Sequence, residues 1–568
     1  MTRMTGARAV VEQLKREGVR HAFTVPGESF LSVLDALYDE PAIALVATRH
    51  ESGAAFMAEA VGKLTGTPAL CMGTRGVGSA NMAIALHTAY QDSTPLIALI
   101  GQVETPHRSK EAFQEVELAP FFAHIVKWTV EVERTDRLPA LIHEAIRRAI
   151  GGRPGPVLLA VPTDVLNAEC DFTPDHFRVP AIAPRPAPTA SDAAHAVDLL
   201  LTAERPVILV GGGLLRAGAT DDLVRFAEET SIPVIAGFRR YHAFPNNHPL
   251  FLGSMGLGAP SCVRERLRAA DVLLALGTRL SEFTTGAYTI PAPQTQVIHI
   301  DIDAGVVGVN NSITLGIVSD AKEALSAMHS ALTKHPDPKR DARRAAAARD
   351  RAIFEAATTI PETTQSFVLR PQSSVDPTTI MADLARLLPP EAVITGDAGN
   401  FWGWFGRYHR FSLPGAFLGP TSGAMGYAMP AAVGAALARP GVPILAVAGD
   451  GGFLMTGNEL ETAVRCNLPV IALVFNNCSY GTIRMHQERE FPGRVSATTL
   501  GPVDFARFAA SLGAHGTRII NSRDFAPALE HALALKRPAL IEVITDPNQI
   551  AVGMTIAGLR APSGRDEG

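Results

Sequence analysis

The chain has 568 residues, 47% of them hydrophobic and 19% charged, and a net charge of −5. At about 150 residues per domain this length predicts three to four domains. The composition is that of packed cores, not of a disordered chain, and a mildly acidic balance argues against a nucleic-acid partner. Five cysteines are scattered with no CxxC pair, which argues against a disulfide scaffold or structural zinc and suits a reducing cytoplasm.

The N-terminus alternates charged and apolar residues (Arg8, Val10, Val11, Glu12, Leu14, Lys15, Glu17), predicting an amphipathic helix and not a signal peptide. Short apolar runs followed by a Gly-containing turn and a helix-like stretch recur in three segments, the mark of βα units around a buried parallel sheet. The first segment has strand candidates Ala42–Ala47, Ala69–Met72, Leu96–Ile100 and Val157–Val161. A Pro-rich stretch from Val179 to Thr189 reads as a surface linker. The second segment has Val207–Val210, Val272–Leu276 and Val297–Ile302, then an Arg-rich helix from Lys339 to Ala357, expected to be a solvated face. A polar stretch to Asp376 leads into the third segment, with strands near Ala392–Thr395, Ile444–Ala448, Val470–Phe475 and Ala539–Ile544. The fold class is therefore α/β, with three doubly wound parallel-sheet domains at residues 1–170, 190–335 and 376–550. The uncharged stretch from Phe411 to Ala438 has the length of a membrane span. Its Pro414, Pro420 and Pro430, with Gly415, Gly419, Gly423 and Gly426, argue against a spanning helix, and no membrane partner is expected.

The strongest chemical signal is Gly449-Asp450-Gly451-Gly452 after one strand and Asn476-Asn477 after the next. Asn477 follows Asp450 by 27 residues, the span of one crossover helix and one parallel strand. Both polar residues therefore reach the carboxyl edge of the sheet, where α/β proteins bind ligands. A hard divalent cation takes oxygen ligands of this kind, and a helix N-terminus after glycines favours a diphosphate.

At these residues the chain resembles the thiamine diphosphate (ThDP) enzymes of the acetolactate synthase-like group, over nearly its whole length. The resemblance implies pyrimidine-binding, central and diphosphate-binding domains in that order. It implies Mg²⁺ on Asp450, Asn477 and the carbonyl of Ser479, with Gly449, Gly451 and Gly452 at the diphosphate. In Thr421-Ser422-Gly423-Ala424-Met425-Gly426-Tyr427 it implies the Gly423 carbonyl and the Met425 wedge beside ThDP, which makes the uncharged stretch a pocket wall. Thr395-Gly396-Asp397-Ala398-Gly399-Asn400 implies diphosphate contacts from Ala398, Gly399 and Asn400. Asp397 fits this turn poorly, since a carboxylate repels a diphosphate, and it is expected to turn away as a helix cap.

The Arg49-His50-Glu51 motif implies that Glu51 is the catalytic acid–base residue. A carboxyl bonded to N1′ of the cofactor favours the imino form that removes the C2 proton. Pro26 in Val25-Pro26-Gly27-Glu28 is implied at the cofactor, and Phe113, Gln114, Ile483 and His486 in the substrate pocket. Relatives have Ser-Gly-Pro-Gly where this chain has Arg75-Gly76-Val77-Gly78, so Arg75 either contacts an anionic substrate or sits on the surface. Acetolactate synthases commonly have Trp where His486 falls. His486 and Arg484 read equally as substrate partners and as solvated groups. In the middle segment Gly211, Gly212, Arg279 and Asp301 resemble an FAD site, with ADP or no ligand as the alternatives, although Gly237-Phe238-Arg239-Arg240 replaces the usual Leu-Met segment. The implied activity is 2-ketoacid decarboxylation with carboligation, pyruvate to 2-acetolactate. The alternatives are a decarboxylase or 2-hydroxyacyl-CoA-type lyase, and, with weaker support, a nucleotide-binding oxidoreductase without ThDP. A homodimer or homotetramer with active sites at the subunit interface is implied, and a separate regulatory subunit is compatible with the group.

Overall fold

The computed structural model describes residues 2–361 and 374–561, so part of the polar stretch before Asp376 lies outside the described residues. Among the described residues three six-stranded sheets are present, and every strand pair within them is parallel. The first runs, in spatial order, Ala44–Ala47, His21–Thr24, Leu70–Thr74, Leu96–Gln102, Pro156–Pro162, Trp128–Glu131. The second runs Phe251–Ser254, Val234–Ala236, Val207–Val210, Val272–Leu276, Gln296–Asp301, Leu315–Val318. The third runs Phe417–Leu418, Val393–Gly396, Ile444–Gly449, Val470–Asn476, Ala539–Ile544, His515–Ile519. Helices flank each sheet, and the predicted fold class holds.

Numbered along the chain within each sheet, the first and third share the order 2-1-3-4-6-5, whereas the second has 3-2-1-4-5-6, the dinucleotide-binding order. The outer segments are thus built to one plan. The strands that apolar runs predict lie mostly in the sheet centres, buried on both faces. Trp128–Glu131, His515–Ile519 and the two-residue Phe417–Leu418 are edge strands, where one flank needs no apolar cover.

The Arg-rich helix, Arg340–Thr358, is not a solvated face throughout, which corrects the expectation. Arg343 is buried and donates to the Thr230 and Leu201 carbonyls at 3.0 and 3.3 Å, and it pairs with Asp337. Arg351 donates to the Asn246 carbonyl at 3.2 Å, and Asp350 pairs with Arg266 at 2.8 Å. The helix lays one face on the central domain, and long arginine stems bury there while their heads meet free carbonyls.

The first and third segments share one apolar core, in which helix Glu51–Thr65 packs on helix Ala428–Ala438. The uncharged stretch holds the edge strand Phe417–Leu418, the 421–427 turn and this helix. Gly434 lets the crossing close: a Cβ there would lie 2.4 Å from the Met57 carbonyl oxygen. Helix propensity alone favours alanine over glycine by about 1 kcal/mol. We predict the opposite sign for Gly434→Ala, a loss of about 1–3 kcal/mol from forcing the helices apart, read from urea unfolding of the full chain.

Candidate active site

At the carboxyl edge of the third sheet, Asp450 begins helix Asp450–Thr456 and is buried. Burial pushes its carboxyl up to about 6, against backbone N–H groups of Gly451, Ser479 and Cys478 that hold it down. The Asn477 side-chain oxygen accepts from the Ser479 N–H at 3.0 Å, and the Ser479 hydroxyl donates to the Thr498 carbonyl at 3.0 Å. Asp450 therefore faces the turn that holds Asn477 and Ser479. Next to it, the Asn400 side-chain oxygen accepts from the Thr482 hydroxyl at 3.0 Å and its amide donates to the Ile550 carbonyl at 2.9 Å.

Asp397 is not a helix cap, which corrects the expectation. It is fully buried and accepts from the N–H groups of Ala398 at 2.9 Å, Gly426 at 2.9 Å and Tyr427 at 3.4 Å. Burial pushes it up to about 6 against these donors. It ties the 395–400 turn to the 421–427 turn. The Gly396 and Asp397 carbonyls in turn accept from Arg239 at 3.3 and 2.9 Å. The second turn is held at both ends: Thr421 donates through its hydroxyl to Asp92 at 2.6 Å, and the Tyr427 hydroxyl donates to Glu59 at 2.7 Å. Between these anchors Gly423 has a φ of 72° and open space around it, and Met425 is half-buried beside it.

On the first sheet, Glu51 is the first residue of its helix, after the N-cap His50, whose Nδ1 accepts from the Ser52 N–H at 3.2 Å. The Arg49 and His50 N–H groups donate to buried Glu459 of the third segment at 3.0 Å each, which fixes the loop. The Glu51 carboxylate accepts from Asn81 at 2.9 Å, and Gly78 lies against its other oxygen. Buried backbone donors along a sheet edge, a glycine turn and a fixed carboxylate are the parts that a diphosphate cofactor with a titrating ring requires.

Three family models match in the same order: the thiamine pyrophosphate enzyme N-terminal TPP binding domain at residues 4–121, the central domain at 193–328 and the C-terminal TPP binding domain at 397–543. The chain belongs to the thiamine pyrophosphate enzymes. It is 33% identical to a probable acetolactate synthase large subunit of Methanocaldococcus jannaschii, over 96% of this chain and 92% of that one. It is also 33% identical to an acetolactate synthase of Mycobacterium bovis, over 98% and 91%. To the acetolactate synthase large subunit of Corynebacterium glutamicum it is 32% identical, over 98% and 89%. As a member of this family it is a ThDP-dependent enzyme.

Among the described residues no hydrogen bond or ion pair joins Glu51 to Asp450 or the 477–479 turn; the residues expected at the thiamine site form two clusters. Around Glu51, Pro26 is exposed, Phe113 is exposed and Gln114 has a φ of 63° while its carbonyl accepts from the Gly76 N–H at 3.0 Å. Around Asp450, Ile483 and His486 are exposed on helix Gly481–Glu490. Gly211, Gly212, Arg279 and Asp301 line a separate cavity of about 490 Å³ between the segments, with Asp92, Arg216, Arg240 and Thr421.

Sequence reasoning missed Asn81, Asp92, Glu59 and Arg239. Asn81 alone left a signal, three residues after Gly78 on one helix. It also missed the clamp on the Ile483/His486 helix. Glu488 of that helix is buried and accepts from Arg560 at 2.7 and 2.6 Å and from the Gly493 N–H at 3.0 Å. The Arg560 bonds hold its carboxyl down to about 2 despite burial. A depressed carboxyl contributes stability above its unfolded pKa, about 4.3, and loses it as pH falls toward the folded value. Helix Ile556–Arg560 should therefore gain hydrogen exchange between pH 5 and pH 2, whereas in Arg560→Ala it should already be open at pH 7; a wild-type helix equally protected at both ends of that range would contradict the clamp.

Proposed function

We propose that this ThDP-dependent enzyme decarboxylates a 2-ketoacid and joins the remaining acyl unit to a second carbonyl compound, with acetolactate formation from two pyruvates as the reaction favoured by its relatives. The observation that carries the reading is the pairing, in one chain, of a sheet edge bearing buried Asp450 and half-buried Asn477 with a fixed Glu51. In the reaction one pyruvate loses CO₂, its former carbonyl carbon bonds to the carbonyl carbon of the other, and a proton from solvent completes the new hydroxyl.

The residues present fit the cofactor and a divalent cation. Asp450 is a buried carboxylate whose partners are backbone N–H groups, a burial that a cation would compensate. With the Asn477 amide oxygen and the Ser479 carbonyl it makes an all-oxygen donor set suited to Mg²⁺. Gly449, Gly451, Gly452, Ala398, Gly399 and Asn400 would face the diphosphate. Gly423 and Met425 would hold the rings bent. ThDP, when bound, supplies a nucleophilic carbon and a sink for the electrons left by CO₂. Glu51 holds the proton that the aminopyrimidine exchanges, and Asn81 orients it. Phe113, Gln114, Ile483 and His486 would line the substrate pocket.

The central cavity supports a phosphate-bearing nucleotide. Burial lowers Arg279 and Arg216 to about 10 each, so the lining holds cations that an anion would stabilise. FAD and ADP share the adenosine diphosphate half that Gly211, Gly212, Arg279 and Asp301 fit. Two separate clusters in one chain favour a homodimer or homotetramer whose sites form between subunits. Free cysteines support a cytoplasmic location, and among the described residues no helix is long and apolar enough to cross a membrane.

Mass spectrometry of the purified protein should find ThDP, and a 2-ketoacid panel should yield acetolactate from pyruvate. CO₂ with free aldehyde would instead favour a simple decarboxylase, and no product from any 2-ketoacid would sink both readings. Glu51→Gln should keep ThDP affinity by calorimetry and lose about 10²–10⁴-fold in kcat. Chelating the metal should release ThDP from the wild-type protein, measured by equilibrium dialysis.

A further inference from the structure

Arg75 opens helix Arg75–Asp92, where the acetolactate synthase-like pattern has serine, and it is not a surface residue. Its side chain is 17% exposed. Its Nη1 donates to the Phe113 carbonyl at 3.2 Å and lies 3.3 Å from a Glu28 oxygen, and its guanidinium carbon is 5.9 Å from the centre of the Phe113 ring. Its Nε is buried with no partner. The same helix carries Gly78 and Asn81 against the Glu51 carboxylate, and the Gly76 N–H binds the Gln114 carbonyl. A guanidinium with an unused donor therefore stands against Phe113, on the helix whose next turns carry the contacts to Glu51.

We infer that Arg75 is a specificity-determining residue that binds a substrate carboxylate which survives the reaction. The inference rests on the proposed 2-ketoacid chemistry of this site. Glu28 shows what the guanidinium takes: a carboxylate. That partner is 64% exposed, and an ion pair so open to water is weak, so an incoming carboxylate can displace it and use the planar fork. The carboxylate cannot be the one lost as CO₂. Pairing that group with a guanidinium stabilises the reactant more than the transition state, in which its charge disperses, and so slows its loss. Two sources remain: the carboxylate of an acceptor 2-ketoacid, and the distal carboxylate of a dicarboxylic donor. An aldehyde acceptor or a monocarboxylic donor gives Arg75 nothing to hold.

The test uses the full chain loaded with Mg²⁺ and ThDP, as wild type, Arg75→Ser, Arg75→Lys and Glu28→Gln. With pyruvate as donor, kcat/KM is compared for 2-ketobutyrate and propanal as acceptors, which differ by the carboxylate. CO₂ release is compared for 2-ketoglutarate and 2-ketobutyrate as donors. Arg75→Ser should lower the 2-ketobutyrate-to-propanal ratio, or the 2-ketoglutarate-to-2-ketobutyrate ratio, by tenfold or more through KM, and the ratio that moves names the source. Arg75→Lys, keeping the charge without the fork, should recover part of it. Glu28→Gln, which removes the internal competitor, should raise the same ratio severalfold, and it stands as the test if Arg75→Ser does not fold. Ratios unchanged in both arms overturn the inference. Calorimetric titration with glutarate and with lactate reads binding without turnover: affinity for one of them at least tenfold weaker in Arg75→Ser supports the assignment, and equal affinity for both overturns it. Absence of turnover on every 2-ketoacid would defeat the proposed function and leave Arg75 to be judged by that titration.

Discussion

Asp92 is the buried carboxylate on which the arrangement of the three segments turns. It accepts from Lys63 of its own segment at 2.7 Å, from Arg240 of the central segment at 2.9 Å, and from the hydroxyl and N–H of Thr421 in the third at 2.6 and 3.2 Å. Burial alone would raise its pKa, but Lys63 and Arg240 more than offset this and hold it well below the ordinary carboxylate range. Removing one partner from such a pair leaves a buried charge uncompensated, at a cost of about 3–5 kcal/mol. Lys63 also pairs with Glu59 at 2.7 Å, and Glu59 accepts from Tyr427. Glu51, Glu59 and Lys63 stand on one helix, and Thr421 and Tyr427 bound one turn. The same charges that join the segments therefore set where the 421–427 turn begins and ends relative to the helix of Glu51.

The rest of the site follows from that rigidity. The groups proposed to face the cofactor are mainly backbone atoms of turns, which have no rotamers to lose but must be held in place by something else. The holding is done by acids: Asp397 binds three N–H groups across two turns, Glu459 binds two at the Arg49-His50 loop, and Asp450 faces the 477–479 turn. Burial pushes each of these three carboxyls up to about 6. All three carboxyls take backbone N–H groups as partners, and in the proposed function Asp450 would also bind the metal.

What the sequence made legible was local. Gly449 to Asn477 spans one βα crossover, so spacing alone brings both ends to one sheet edge, and a glycine-flanked acid after an apolar strand is visible to the eye. Glu51 was legible only through its motif. The Asp92 hub was not legible: Thr421 lies 329 residues and Arg240 148 residues from it in the chain, and nothing near Asp92 marks it as other than a helix C-terminus. Asp397 misled for a related reason. Repulsion from a diphosphate correctly turns the carboxylate away, but which N–H groups receive it depends on a turn nearly thirty residues on. The Arg-rich helix misled because charge patterning does not distinguish a solvated arginine from one whose stem is buried and whose head meets a carbonyl, as with Arg343.

The two clusters also bear on assembly. Val77 and Phe113 are exposed beside Arg75 and Glu51, and Leu454, Met455 and Ile483 are exposed beside the Asp450 turn. Both rims therefore carry exposed apolar side chains. The first and third sheets share one strand order, so each presents its carboxyl edge in the same way. In the proposed dimer a two-fold axis would set the Glu51 edge of one subunit on the Asp450 edge of the other and, by the same operation, the reverse. The symmetry would cover both apolar rims at once and complete two equal sites. Arg75 would then face a closed pocket, where a guanidinium gains more from a carboxylate than it does from Glu28 in open water.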